Sequence, residues 1–154
     1  IAVIGFLHER IRLLEKTVLA SAQLRTEYEK LQSIPGIGKI LALVIMYETG
    51  AIARFKAAGN YVSYCRCVKS KHLSNGKKKG EGNRKNGNKY LSWAYVEAAN
   101  YSRRYCEEAK RYYQRKLAKG NSVIATKSLA AKLCRAAYFI LRDQVEFDVA
   151  RMFG

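Results

Sequence analysis

Acidic residues are scarce in this sequence, and the scarcity excludes one kind of chemistry. Only 12 Asp and Glu residues stand against 29 Lys and Arg, which gives a formal net charge of +17 over 154 residues. The only aspartates are Asp143 and Asp148, near the end of the chain. Two-metal phosphoryl chemistry needs several carboxylates held close together. A metal-dependent nuclease is therefore not expected from these residues alone, and the charge indicates a polyanionic partner, nucleic acid before a membrane surface.

Long apolar segments are also missing. No run of residues approaches the roughly 20 apolar positions of a membrane-spanning helix. Residues 1–9 lack the charged start, apolar block and cleavage site of a secretory signal. No membrane partner is expected, and the location is expected to be cytoplasmic. Because Ile1 is not a methionine and already lies in a helical pattern, we expect the chain to be a piece of a longer protein.

Cysteine is present at only four positions, without the regular spacing of a disulfide framework. Cys106 and Cys134 lie far from the pair Cys65 and Cys67, and all four are expected to be reduced. The pair and His72 would make three zinc ligands, but Cys-x-Cys is not the spacing of a zinc knuckle and no fourth ligand follows nearby. No metal is expected in this chain.

Proline occurs once, at Pro35. The residue before a proline is pushed out of the α region, and Gly36 and Gly38 supply a tight turn before a helix restarts at Lys39. Residues 31–50 therefore predict a helix-hairpin-helix. The free N–H groups of its second helix, with the helix dipole, would bind a DNA phosphate. An ordinary αα-hairpin is the alternative, and both glycines are expected to be replaceable without unfolding the helices.

A heptad pattern covers the start of the chain and predicts one long helix over residues 2–32. Its apolar seam repeats at alternating spacings of three and four and consists of Ile4, Leu7, Ile11, Leu14 and Val18. We expect these residues to pair with a second chain, as a homodimer or a higher homo-oligomer; packing on the chain's own domain is the alternative. The expected domains are a coiled-coil arm, 1–32, and a helix-hairpin-helix-containing domain, 33–154.

The rest of the chain predicts helices around a basic loop. A short helix is predicted over about 58–66, and longer helices over about 89–118 and 122–143. Asn88 is the expected N-cap of the helix at 89–118. Phe147 is expected to fold the tail back. Strand-like alternation is absent, so the fold class is all-α. Residues 69–89 contain four glycines, four asparagines and eight cations. A loop of this length and composition is functional or disordered.

Glycines beside cations suit the binding of phosphates. The predicted DNA-binding residues, in addition to Gly36, Gly38 and Lys39, are Lys69, Lys71, Lys77, Lys78, Lys79, Arg84, Lys85, Asn88 and Lys89. Ser74 lies among these cations, which would stabilise charge on a phosphoryl group attacked by its hydroxyl. From the residues alone, a serine in a Gly/Asn-rich loop is ordinarily a turn residue.

Several of these motifs occur in a fixed order. Ser33-Ile-Pro-Gly-Ile-Gly38, Arg54-Phe55, Ser74 with the basic loop, and Gly87-Asn88-Lys89-Tyr90-Leu91 together resemble the C-terminal domain of insertion-sequence transposases of the IS110 type. The resemblance covers about 30–150, and the first helix resembles the coiled coil before that domain. These transposases are DEDD-type serine recombinases guided by a bridge RNA.

The resemblance implies a function for the chain. Ser74 would be the catalytic nucleophile that becomes covalently attached to DNA, with Ser70 as the next candidate. A RuvC-like acidic domain, N-terminal to this one, would bind Mg²⁺. The expected partners are double-stranded DNA and a guide RNA. The isolated chain is expected to bind DNA without cutting it, and the alternative function is a non-catalytic helix-hairpin-helix module that binds DNA or RNA.

Overall fold

The computed structural model describes residues 2–22, 25–68, 71–75, 77–81 and 86–154, with the backbone alone for 71–74 and 78–81. Within these ranges the chain forms eight α-helices, one 3₁₀ turn (Ile52–Arg54) and one antiparallel pair of strands. The helices are α1 (Ala2–Ala22), α2 (Thr26–Gln32), α3 (Lys39–Thr49), α4 (Ala58–Tyr64), α5 (Lys89–Tyr105), α6 (Glu107–Leu117), α7 (Ser122–Asp143) and α8 (Val149–Phe153), and the strands are β1 (Lys71–Ser74) and β2 (Lys77–Glu81).

The all-α class is confirmed, and the two short strands lie inside the segment for which the sequence predicted a loop without strands. Ser74 pairs with Lys77, so two residues connect the strands. The first of them, Asn75, has φ of 52°. Asn-Gly is the favoured sequence of a two-residue hairpin turn because its first residue tolerates a positive φ. Asn75-Gly76 is therefore the signal in the sequence from which this β-hairpin could have been predicted.

Helices α5 and α7 form the centre of the core. They pack on each other, α3 packs on α5, and α2, α4 and α6 pack on α7. Small residues at the crossing faces, such as Ala94, Ala98 and Ala137, are fully buried and allow the helices to approach closely. The predicted helix over 122–143 is confirmed by α7, and partly buried Phe147 returns the tail to the core as predicted.

A short polar chain crosses this core. The hydroxyls of Thr49 and Tyr61 are 2.8 Å apart, and those of Tyr61 and Tyr95 are also 2.8 Å apart. Both phenols are fully buried, and burial raises the pKa of each well above its ordinary value. The two tyrosines therefore remain neutral hydrogen-bonding groups that join α3, α4 and α5.

The single long helix predicted for residues 2–32 is wrong in length. Arg25 is extended, with φ of −108° and ψ of 123°, and separates α1 from α2. Residues Tyr28 and Leu31 of α2 are buried in the core. Lys30 also donates to the backbone carbonyl of Gln144 after α7. Tertiary packing holds α2 against the domain, and this overrides the continuous helical pattern.

The helix predicted for 89–118 is likewise divided. Cys106 has φ of −126° and ψ of 117°, so α5 ends and α6 starts in a new direction. The turn lets α6 pack on α7, with Ala109 buried and Tyr112 partly buried. A straight helix of about 30 residues would be roughly 45 Å long and would leave those residues in water. Within the described ranges, no helix is long and apolar enough to span a bilayer.

Candidate nucleic-acid interface

The predicted hairpin between α2 and α3 is present and is fixed to α5. Ile34 and Ile37 are buried on either side of the turn. Gly36 has φ of +90°, and a Cβ there would lie 2.6 Å from the backbone nitrogen of Ser102 and closer still to the carbonyl of Ala98. Only glycine allows this approach without displacing one of the two backbones. Gly36 therefore has a packing role that the sequence did not predict, and whether it can be replaced without unfolding the helices stays a prediction.

The start of α3 has open backbone donors. The first helical hydrogen bond runs from Ala42 N to Gly38 O at 2.9 Å. Among the described residues, no side chain caps this helix, and the N–H groups of its first turn, which begins at Lys39, have no acceptor within the helix. Gly38 itself has no atom within 4 Å of where a Cβ would be. The helix dipole adds partial positive charge at the same point.

A groove of about 480 Å³ lies beside this helix start. Gly38 and Lys39 line one side, and two tyrosines of α5, Tyr101 and Tyr105, line the other. Tyr105 is 77% exposed, and the guanidinium of Arg104 lies 5.9 Å from the ring centre of Tyr101. Sequence reasoning did not identify these tyrosines. Their position around Arg103-Arg104 is the signal in the sequence, because aromatic and basic side chains together are typical of surfaces that bind single nucleic-acid strands; contact of these tyrosines with nucleic acid is a prediction.

The β-hairpin carries the predicted nucleophile. Ser74 is the last residue of β1, next to the connecting turn. Lys77 begins β2 and is exposed. Only the backbone is described for Lys71, Lys78 and Lys79, and Lys69, Ser70, Arg84 and Lys85 lie outside the described residues. The strand register pairs the backbones of Ser74 and Lys77, and the catalytic role of Ser74 stays a prediction.

Asn88 lies where the chain leaves the β-hairpin, and its predicted role as the N-cap of α5 is confirmed. Its side-chain oxygen accepts from Tyr90 N at 2.8 Å and Leu91 N at 3.0 Å. Its amide nitrogen donates to the carboxylate of Glu48 at 2.6 Å. Both ends of the amide are thus engaged, and its contact with DNA stays a prediction. Lys89 is exposed and lies 4.9 Å from the ring centre of Tyr90.

The two predicted DNA-binding elements lie at opposite ends of α3. Lys39 begins this helix, and Glu48, which binds Asn88, is nine residues further on. At 1.5 Å per residue the separation along the helix is about 14 Å. One helical turn of duplex DNA measures about 34 Å, which is longer than this separation.

The predicted dimerisation seam lies on a helix that is largely uncovered. Its five residues are between 38% exposed, at Val18, and 64% exposed, at Leu14; the other three are Ile4, Leu7 and Ile11. Helix α1 joins the core only near its end, through Ala22 and Leu19. Exposed apolar surface of this extent is typical of an interaction site, and pairing of α1 stays a prediction.

The residues described do not fit a metal ion. Across the described ranges, His, Cys, Asp and Glu side chains form no group of three that could bind one. Cys65, Cys67, Cys106 and Cys134 are free thiols and buried. Burial raises the pKa of Cys134 well above its ordinary value, which keeps it a neutral thiol. The side chain of His72, the third residue of the considered zinc set, lies outside the described part of the chain.

Comparison with known families identifies the chain. The family model for transposases of the IS116/IS110/IS902 family matches residues 28–114, which is more than half of the chain. The chain belongs to this family. The matched region of the transposase begins in α2, includes the glycine turn and the β-hairpin, and ends in α6. The resemblance to IS110-type transposases is thereby confirmed at the level of the family. No curated protein matches the chain.

Proposed function

We propose that this transposase chain binds duplex DNA through the glycine turn and the β-hairpin, and that Ser74 exchanges DNA strands. The observation that carries the DNA-binding part is the uncapped start of α3, with open space at Gly38, a cation at Lys39 and a groove beside them. Backbone donors at a helix N-terminus suit a phosphate oxygen. The net charge of +17 adds an attraction that does not depend on DNA sequence.

In the proposed reaction, the hydroxyl oxygen of Ser74 attacks the phosphorus of a phosphodiester. An Oγ–P bond forms while one bond from phosphorus to a deoxyribose oxygen breaks, and the released deoxyribose hydroxyl takes up a proton. A hydroxyl from another strand then reverses the step and frees the serine. Each exchange conserves the number of phosphoester bonds, so rejoining needs no ATP. Lys77 and its neighbours would offset charge on the phosphoryl oxygens.

A serine hydroxyl is a weak nucleophile at its free pKa and needs an activating group. The described residues of this chain do not provide a metal site for that purpose. We therefore propose that Mg²⁺ would be supplied by a separate acidic domain N-terminal to this chain, and that the assembled transposase would also bind a guide RNA. Pairing through α1 would bring two copies of the β-hairpin into one assembly, as an exchange between two DNA strands requires.

The proposal is tested with a protein in which this chain follows the proposed acidic domain, termed the two-domain protein. We expect incubation with DNA to give a protein–DNA adduct that survives denaturation, with the DNA mapped to Ser74 by mass spectrometry. Ser74→Ala should still bind DNA but form no adduct, while Ser70→Ala, four residues away, serves as the matched control. Normal adduct formation by Ser74→Ala would refute the assignment. Tight DNA binding with no adduct in any variant would favour the non-catalytic binding module instead.

A further inference from the structure

An arginine in an unusual backbone conformation lies just before the chain enters the β-hairpin. Arg66, just after α4, has φ of 55°. Its Nε donates to the carbonyl of Asn86 at 2.8 Å, and its Nη2 donates to the carbonyl of Gly87 at 2.9 Å. One guanidinium thus joins the segment that enters the β-hairpin to the segment that leaves it, across 20 residues of sequence.

Backbone contacts close the same junction. The N–H of Asn88 donates to the carbonyl of Tyr64 at 2.7 Å. Gly87 has φ of 83°, and a Cβ there would lie within 3.2 Å of the Arg66 side chain and closer to the Tyr64 carbonyl. Asn88 continues the connection to Glu48 on α3 and to the first turn of α5. The exit of the β-hairpin is therefore attached to three helices.

The positive φ of Arg66 points to a specific role. Residues other than glycine, asparagine and aspartate seldom adopt this conformation, and it persists where the surroundings determine it. At this φ, the guanidinium presents two donors to two successive carbonyls. Lysine has no planar fork and makes such a paired contact less well.

We propose that Arg66 is a positioning residue that holds the β-hairpin, and with it Ser74, at a fixed orientation to α3 and α5. This inference rests on the proposed role of Ser74, but it concerns a different residue and a different property. A β-hairpin attached only through one polypeptide connection at each end could change its orientation about those two connections. The guanidinium removes that freedom before DNA binds, and such preorganisation reduces the cost of reaching a reactive arrangement.

The orientation of the β-hairpin can be measured without DNA. Spin labels are placed through Lys77→Cys on the β-hairpin and Lys127→Cys on α7, both at exposed positions, while the four native cysteines are buried. The distance distribution between labels is recorded by pulsed electron resonance. We expect Arg66→Asn to widen it at least twofold, because asparagine tolerates the positive φ but removes the fork. Arg66→Lys should give an intermediate width.

Arg111→Asn on the exposed face of α6 is the control for loss of one cation, and it should leave the width unchanged. Melting temperatures establish that each variant is folded; if Arg66→Asn does not fold, Arg66→Lys alone decides the question. A width in the folded Arg66 variants equal to that of the parent would overturn the proposal. So would a width change of the same size in Arg111→Asn.

The consequence for strand exchange is measured separately, in the two-domain protein at saturating DNA. We expect Arg66→Asn to lower the rate of adduct formation at least tenfold, and Arg66→Lys to recover part of it. An unchanged adduct rate in Arg66→Asn would contradict the positioning role. If the parent forms no adduct, the proposed function fails, while the label distances still decide whether Arg66 holds the β-hairpin.

Discussion

Replacing Gly36 with alanine tests whether the glycine turn is fixed by contact with α5. The new Cβ would meet the backbone of Ala98 and Ser102, which belong to the rigid centre of the domain. Neither of these atoms is the flexible end of a side chain. Relief must therefore come from movement of the turn itself, which would take Ile34 and Ile37 out of their buried positions.

The magnitude follows from two terms. A non-glycine residue in the left-handed region costs about 1–2 kcal/mol, and Gly36 has φ of +90°. Forcing extra volume into a packed contact costs about 1–3 kcal/mol more. The sum is roughly 2–5 kcal/mol, and in a domain of this size each kcal/mol shifts the melting temperature by about 2–4 °C. We expect a decrease on the order of 10 °C.

Gly38→Ala is the matched control, because it changes the same residue type two positions away. Its φ is −88°, and nothing lies within 4 Å of the added carbon, so we expect the melting temperature to change by less than about 2 °C. The same methyl stands where a phosphate would approach, so DNA affinity should fall. Calorimetry and fluorescence anisotropy measure the two effects. Equal melting temperatures for Gly36→Ala and the parent would refute the packing argument.

Three further predictions use the same chain. If about six phosphates are neutralised, log K for duplex DNA should fall with log salt at a slope near −5, and a slope near zero would exclude the electrostatic account. Leu7→Glu with Leu14→Glu should convert a dimer to monomers in sedimentation at micromolar concentration; a monomeric parent would contradict pairing. Because burial raises the pKa of Tyr61 and Tyr95, stability is fully present below about pH 10 and decreases above it, by about 1.4 kcal/mol per pH unit for each phenol. Tyr95→Phe should therefore make the unfolding free energy fall less steeply with pH above pH 10. An unchanged dependence on pH would contradict a raised pKa for Tyr95.

The elements that sequence reasoning predicted best are those with both a pattern and a terminator. Helix α7 has a continuous apolar face and the N-cap Asn121, whose side chain accepts from Ile124 N at 2.9 Å. The restart at Lys39 follows Pro35 and two glycines. At these places, local propensity and tertiary packing favour the same structure.

The breaks at Arg25 and Cys106 were not predictable in this way. Neither position carries a proline or glycine, and the helical pattern continues on both sides. The chain bends there because Leu31 and Ala109 are buried against other helices. The free energy gained by burying them is available only in the assembled core. The role of Gly36 was hidden for the same reason, because a glycine that contacts another backbone and one that faces solvent are identical in sequence.

The same reasoning explains why α5 determines the geometry of both proposed DNA-binding elements. Gly36 rests on the backbone of α5 at Ala98 and Ser102, and the exit of the β-hairpin becomes the N-cap of α5 at Asn88. The glycine turn and the exit segment of the β-hairpin thus both contact α5, one face of which is buried and packs on α7. A functional site held within a narrow geometry needs such support. The stability of α5 against α7 therefore bears directly on whether the start of α3 and Ser74 can contact the same DNA molecule.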